Sequence, residues 1–398
     1  MIDLNKAVCR LPTMTNTIAC IVSDLMAGTS VVWVVPATAP VSDLAAELAH
    51  SLDEQGIEVT MGGGNGQDDD GGGGGIAGGG FSHVAIEHLE SAAAGGARVA
   101  LLARLEEKGR AATLRSSRTG VVSSAAVVCT EAAVGYHASQ HEHISVHWHW
   151  GCLSTTEMSI LAHALLQGKL TDPIHAAWAQ SVIAELAGTD VELLAQVCAR
   201  WQPSFEEDDL FDTLSEYAAQ RGWTDAWLRT YTNEMQEAFR PGRRNKPPFP
   251  PHNLAPLFEA GVLEWRPDSG ISMHTAALAQ SGDVTEIRRR IWAGQAKYLM
   301  PVIDRERTET YQYLSQNAPG LDDFVRDLRS GPSRPGIWNN GWAASEWIEL
   351  IMFIDEMCKG RFIAVRRRAD FMRMRRNDLA HCSPLQWEHF RMVLSGEA

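Results

Sequence analysis

Residues 30–36 read SVVWVVP, a β-branched apolar run closed by a proline. Seven residues are too few for a buried helix, so the run predicts a short strand buried on both faces. Working outward, Thr17–Met26 before it predicts a helix. After it, Ser42–Gln55 carries Leu44, Leu48 and Leu52 at helical spacing behind a Ser-Asp start. Strands are expected at Ile57–Met61, Arg98–Leu105, Gly120–Cys129 and His143–Trp150. A helix is expected at Thr155–Leu166, opened by the capping pattern Ser154-Thr-Thr-Glu157. Alternating strands and helices predict an α/β domain with a mostly parallel sheet over residues 1–171.

Within it, Gly62–Gly80 reads GGGNGQDDDGGGGGIAGGG. Such a stretch has almost nothing to bury and predicts a flexible loop. A phosphate-binding loop would need a Gly-Lys-Ser/Thr end, which does not follow. A calcium-binding GGxGxD repeat would need tandem copies, and one is present.

Residues 172–280 predict a helical middle, with helices at Ile174–Leu186, Val191–Trp201, Glu206–Arg221 and Asp225–Phe239. The proline-rich 241–252 breaks it. A helix ending at Gly261, a strand Val262–Arg266, a turn at Pro267–Gly270 and a return strand Ile271–His274 give a winged-helix-like tail. Arg266 is the one basic residue in 253–278, so packing is expected there in place of DNA binding. Residues 281–398 predict an all-helical bundle: Asp283–Gln316, Leu321–Leu328, Ala343–Cys358, Arg361–Leu379 and Pro384–Leu394.

The chain has 398 residues and a net charge of −14. A whole-surface coat for nucleic acid is therefore excluded. The charge is uneven, however: residues 281–398 hold 18 basic against 16 acidic residues. Seven scattered cysteines without a CxxC pair point to neither a zinc ribbon nor a disulfide framework. No apolar run approaches membrane-spanning length, so no membrane segment is expected and the cytoplasm is the expected location.

The steepest basic stretch runs from Lys359 to Arg376. Arg366, Arg367, Arg368, Arg373 and Arg375 are candidate RNA-binding residues, because a polyanion would dock there. At its end, residues 373–382 read RMRRNDLAHC. Arg376 and His381 lie five positions apart, about 140° around a continuous helix. They would converge if the helix ends near Ala380 or if two copies meet. Histidine can move the protons of 2′-hydroxyl attack, and a fixed arginine can hold the phosphodiester. Neither step requires a metal or a cofactor, and none is expected.

The Arg376-Asn377-x-x-Ala380-His381 wording in a helical setting resembles the RNxxxH motif of the HEPN superfamily, helical domains of many prokaryotic defence and toxin ribonucleases. The resemblance covers about residues 283–398. It implies a HEPN-like bundle with Arg376 and His381 as the catalytic pair, Asn377 orienting them, and a homodimer or a second HEPN chain completing the site. Trp342, Trp347, Leu350, Ile351 and Phe353 are candidate interface positions, with burial against the N-terminal domains as the alternative.

A second constellation is His141-Glu-His143-Ile-Ser-Val-His147-Trp-His149, four histidines of equal parity. On one strand they would share a face and could hold zinc or nickel. Spacing along one strand is too wide, so ligands from elsewhere would be needed. The first 250 residues also resemble the core of a P-loop ATPase of the AAA or STAND type. They lack a Walker lysine after Ser30–Pro36, which implies a degenerate relative that hydrolyses no nucleotide.

Two functions follow. One is a metal-independent endoribonuclease, the toxic effector of an antiviral or toxin–antitoxin system, regulated by its N-terminal part. The other is a non-catalytic scaffold or sensor subunit with a partner protein in a defence complex.

Overall fold

A computed structural model describes residues 4–63, 98–106, 121–142, 144–151, 153–170, 172–201, 207–238, 249–266, 270–330 and 346–396. Most of Gly62–Gly80, the turn 267–269 and Trp342 lie outside the described residues. The chain divides into two compact units. One holds residues 1–165, 187–199 and 206–282; the other holds 166–186, 200–205 and 283–398.

The first unit is built on a sheet of β1 (Ser30–Val34), β2 (Glu58–Gly63), β3 (Arg98–Glu106), β4 (Val121–Cys129) and β5 (Ile144–Trp148), in the order β2-β3-β4-β1-β5. β1 lies between β4 and β5 and is parallel to both. Val31, Val32, Trp33 and Val34 are all buried, as a run apolar on both faces requires. The expectation of a mostly parallel sheet needs one correction. The parallel part has three strands, and β3 runs antiparallel to both β2 and β4. An apolar run reads the same in either direction, so its composition does not encode strand sense.

Helix Pro12–Met26 starts with proline at a position whose N–H has no helical partner anyway. It buries Met14, Ile18, Ile21, Val22 and Leu25. Helix Val41–Glu54 buries Leu44, Ala45, Leu48 and Leu52. The capping box forms as its residues predict: Ser154 N donates to Glu157 at 2.8 Å, and Glu157 N donates to Ser154 Oγ at 3.2 Å. Glu157 also accepts from Thr13 N and Thr13 Oγ1, both at 2.8 Å, which ties two helix starts together. Burial raises its carboxyl pKa, and these hydrogen bonds outweigh that and leave it below the ordinary value.

The helices Val191–Arg200 and Glu207–Gln220 belong to this unit, as does the hairpin of β6 (Leu263–Arg266) and β7 (Gly270–Met273). The helix expected at Asp225–Phe239 is two, Asp225–Arg229 and Thr232–Ala238. Thr230 and Thr232 hydroxyls donate back to the Trp227 and Arg229 carbonyls at the break, a local bond that competes with the helical ladder. Asp190 is fully buried here and accepts from the Tyr217 hydroxyl and from Leu193 N at 3.0 Å. His274 Nε2 lies 3.2 Å away, near enough for charge attraction but short of an aligned hydrogen bond.

The second unit is helical: Val284–Asn317, Leu321–Ser330, Trp347–Met357, Ile363–Ala380 and Trp387–Ser395, with Pro173–Ala187 beside them. Residues 166–186 therefore group with the bundle, not with the middle region expected to begin at 172. Trp178 packs edge-on against Phe390 at 4.8 Å and Trp387 at 5.7 Å. Gly294 permits the closest approach, because a Cβ there would lie 2.1 Å from the Ser181 carbonyl oxygen. The core holds Leu299, Ile303, Leu314, Met372 and Phe390. Trp347, Leu350, Ile351 and Phe353 are buried in the same core. They serve the monomer, and their placement as a dimer surface is corrected. Among the described residues, no helix is long and apolar enough to cross a membrane.

Candidate functional site

Open α/β sheets usually bind ligands beyond the carboxyl ends of their central strands. Here that edge is covered by the unit's own chain. Ala37 N, just past β1, donates to the Glu259 carbonyl at 2.8 Å. Ala132 N, just past β4, donates to Glu259 Oε1 at 2.6 Å. Tyr136 donates its hydroxyl to the Pro250 carbonyl at 2.7 Å. Gly261 sits so close to Thr38 that a Cβ would be 2.4 Å from its methyl. Burial, with Glu259 beside it, pushes the Tyr136 phenol up to about 12. Burial and Glu131 raise the Glu259 carboxyl, against the Ala132 N–H bond that lowers it.

The histidine run does not form one face. β5 ends at Trp148, so only His147 among the described histidines of that run lies on it. His147 Nε2 is 2.9 Å from Asp24 Oδ2 and 3.3 Å from Ser145 Oγ. Burial raises the Asp24 carboxyl, but Ser145 and His147 outweigh it and hold it low. His149 is buried, and His141 packs against His137 at 5.1 Å. His143 lies outside the described residues. Among the described residues, no three His, Cys, Asp or Glu side chains gather as a metal site would require.

Helix Ile363–Ala380 carries the basic run, and its arginines divide by what they touch. Arg368 is committed to the fold: it donates to both Glu306 carboxylate oxygens and to the Met392 and Val393 carbonyls at 2.7 and 2.8 Å. Arg366 pairs with Asp355 at 3.2 Å, Arg373 with Asp370 at 3.0 Å and Arg375 with Asp378 at 3.3 Å. Arg375 also lies over the Phe371 ring at 5.4 Å. Arg367 is exposed and has no charged partner among the described residues. The Arg366 and Arg373 pairs are partly exposed, and exposed pairs of this kind contribute little to stability.

Ile363, Arg367, Asp370, Met374, Asn377 and His381 follow one another at intervals of four and three, so they share one stripe. Ile363 and Met374 are exposed large apolar residues on it, and His381 is exposed at its end. Arg376 falls outside this stripe, with Glu346 as its nearest carboxylate at 4.0 Å. Glu346 itself caps helix Trp347–Met357 in a capping box with Glu349. No hydrogen bond among the described residues joins the side chains of Arg376, Asn377 and His381.

The helix ends at the motif, as the convergence of Arg376 and His381 would need. His381 is its C-cap. Cys382 N donates to the Leu379 carbonyl at 3.3 Å, and Ser383 N donates to the Asp378 carbonyl at 2.9 Å. This pair of bonds is a Schellman turn. The left-handed position that glycine usually fills holds Cys382, at φ +58°. Two side chains of helix Val284–Asn317 grip the turn on either side. Trp292 Nε1 donates to the Leu379 carbonyl at 2.6 Å. The buried Gln295 donates to the Leu385 carbonyl at 2.8 Å and accepts from Leu385 N at 2.6 Å. The sequence reading did not single out these two. The available signal was Gln295 itself, a polar residue in the otherwise apolar series Ile287, Ile291, Leu299.

Chemically, the arrangement offers an accessible imidazole on a fixed turn, an amide one turn before it and the partly or fully exposed guanidiniums of Arg366, Arg367, Arg373 and Arg376 on one helix. No family model matches this chain, and no match is found among curated proteins or solved structures.

Proposed function

We propose that the chain is a metal-independent endoribonuclease of the HEPN type, with His381 and Arg376 as its catalytic pair and Asn377 orienting them. The observation that carries this reading is the helix end at Ala380, which leaves His381 exposed on a stabilised turn beside a basic helix. An imidazole there takes the proton of an RNA 2′-hydroxyl. The 2′-oxygen bonds to phosphorus, and the 5′-oxygen leaves with a proton from a second imidazole. Arg376 neutralises charge on the phosphoryl oxygens. One chain supplies one such histidine, so two copies, or a second HEPN chain, make the composite site. The exposed apolar residues Ile363 and Met374 of this helix replace the buried tryptophan helix as the surface through which they pair. Arg367 and Arg373 extend the contact along the RNA backbone.

The covered sheet edge and the missing lysine support a degenerate P-loop relative that regulates or assembles and does not hydrolyse ATP. We place its action in the cytoplasm, as a toxic effector in antiviral defence or a toxin–antitoxin pair.

The test is cleavage of RNA in EDTA with analysis of the ends. A 2′,3′-cyclic phosphate or 3′-phosphate with a 5′-hydroxyl supports the reading. Dependence on a divalent metal, or 5′-phosphate ends, sinks it. The arginine pairing within the chain supports a second reading, a scaffold or sensor subunit bound to a partner protein. An intact, dimeric protein without RNA cleavage would favour it.

A further inference from the structure

We infer that Gln295 is the positioning residue that holds His381 for catalysis, with Trp292 as its second point of attachment. The inference rests on the ribonuclease reading and adds the device that fixes the geometry of its site. A non-glycine residue at φ +58° is strained, and such strain persists only where the surroundings over-determine the backbone. The surroundings here are specific. Gln295, fully buried, makes a two-way amide clamp on the Leu385 backbone, four residues after His381. Trp292 Nε1 holds the Leu379 carbonyl, two residues before it. His381 is therefore spanned by two anchors on one helix while its own imidazole stays exposed.

A glutamine buried in a helix core is an expensive choice unless both ends of its amide are satisfied. Both ends are satisfied, and both by the backbone that follows the motif. Burial of apolar surface would be served as well by leucine. What leucine could not do is fix the direction in which residues 381–385 leave the helix, and so the place of the imidazole. Misplacement of a catalytic group by about 1 Å costs on the order of 100-fold in rate.

The experiment uses the full chain and the variants Gln295→Leu, Cys382→Gly and the two combined. RNA cleavage is measured in EDTA, with circular dichroism confirming the fold. Gln295→Leu is expected to lower kcat by about 10- to 100-fold with KM changed by less than about twofold. Glycine accepts the left-handed backbone without strain, so Cys382→Gly in that background should recover a large part of the loss. A second readout needs no activity: the His381 ring Cε1–H resonance should be single and narrow in the wild type. It should be broadened or split in Gln295→Leu and narrowed again in the double variant.

An unchanged kcat, an unchanged resonance, or a loss that follows the unfolded fraction and is not rescued by Cys382→Gly overturns the proposal. A wild-type chain that cleaves no RNA overturns the ribonuclease reading instead, and the resonance alone then decides whether Gln295 orders the turn. Should Gln295→Leu fail to fold, Trp292→Phe keeps an aromatic side chain in place and removes the Nε1 donor. It must then give the same signature at smaller size.

Discussion

Two element ends in this chain, the carboxyl edge of the sheet and the carboxyl end of helix Ile363–Ala380, meet opposite fates. At the sheet, the backbone leaving β1 and β4 is taken up by Glu259, and Tyr136 is spent on Pro250. At the helix, the backbone is equally satisfied, by the Schellman turn, Trp292 and Gln295, but His381 stays exposed. Both ends obey the rule that buried backbone groups find partners. They differ in whether a chemically competent side chain remains once the rule is met. On the ribonuclease reading proposed above, chemistry would belong to the helical unit, and structure or regulation to the α/β unit.

The largest expected effect breaks or confirms that division directly. His381→Ala should lower RNA cleavage by about 10²- to 10⁴-fold, the usual share of a general acid–base, with thermal stability unchanged because the side chain is exposed. Retained activity would move the site elsewhere.

The sheet unit should show the reverse pattern, stability without chemistry. Asp190→Ala leaves the Tyr217 hydroxyl without its acceptor and removes the charge facing His274. A loss of about 2–5 kcal/mol is expected in denaturant unfolding. The pH dependence has a defined sign. Burial raises the Asp190 carboxyl, but His274, Tyr217 and the Leu193 N–H outweigh it, so its folded pKa lies below 3.8. The stability it confers is present above about pH 4 and is lost as pH falls through the lower folded value. Asp190→Asn should flatten that part of an acid-unfolding curve.

Gly294→Ala separates packing from propensity in the bundle. Alanine favours a helix over glycine by about 1 kcal/mol. The added Cβ, however, meets the Ser181 backbone carbonyl, which cannot turn aside. Overpacking of about 1–3 kcal/mol should win, read as a net fall in the urea midpoint. A gain would show that the two helices can separate freely.

The arginines sharpen the comparison within one helix. Arg368→Ala should lower the melting temperature, because Glu306 and two carbonyls lose their donor. Arg367→Ala should leave it unchanged and weaken RNA binding, with a reduced salt slope in a filter-binding titration. The smallest effect belongs to Cys382→Gly in the wild-type background. Relief of left-handed strain, partly offset by the entropy of glycine in the unfolded chain, should add up to about 1 kcal/mol.

Elements with a strong local signature were legible before any coordinates. SVVWVVP holds an interior strand, Ser30–Val34, Ser154–Glu157 is a capping box and Thr155–Leu166 is a helix. Each rests on neighbours in sequence: β-branching, side-chain reach to a nearby N–H, or a 3.6-residue period. The motif Arg376–His381 was legible for the same reason, and so was the end of its helix near Ala380.

What no local pattern encodes is which surfaces meet. The reversed sense of β3, the placing of residues 166–186 with the bundle and the burial of Trp347, Leu350, Ile351 and Phe353 were settled by partners distant in sequence. An apolar face records only that it must be covered. The same holds for the candidate site. Residue types and spacing single out His381, Arg376 and the arginine run from the sequence alone. Packing alone decides that Arg368 holds the fold while Arg367 faces water. It also decides that a glutamine 86 positions upstream grips the turn on which His381 stands, because hydrogen-bond geometry exists only once the chain has been brought together.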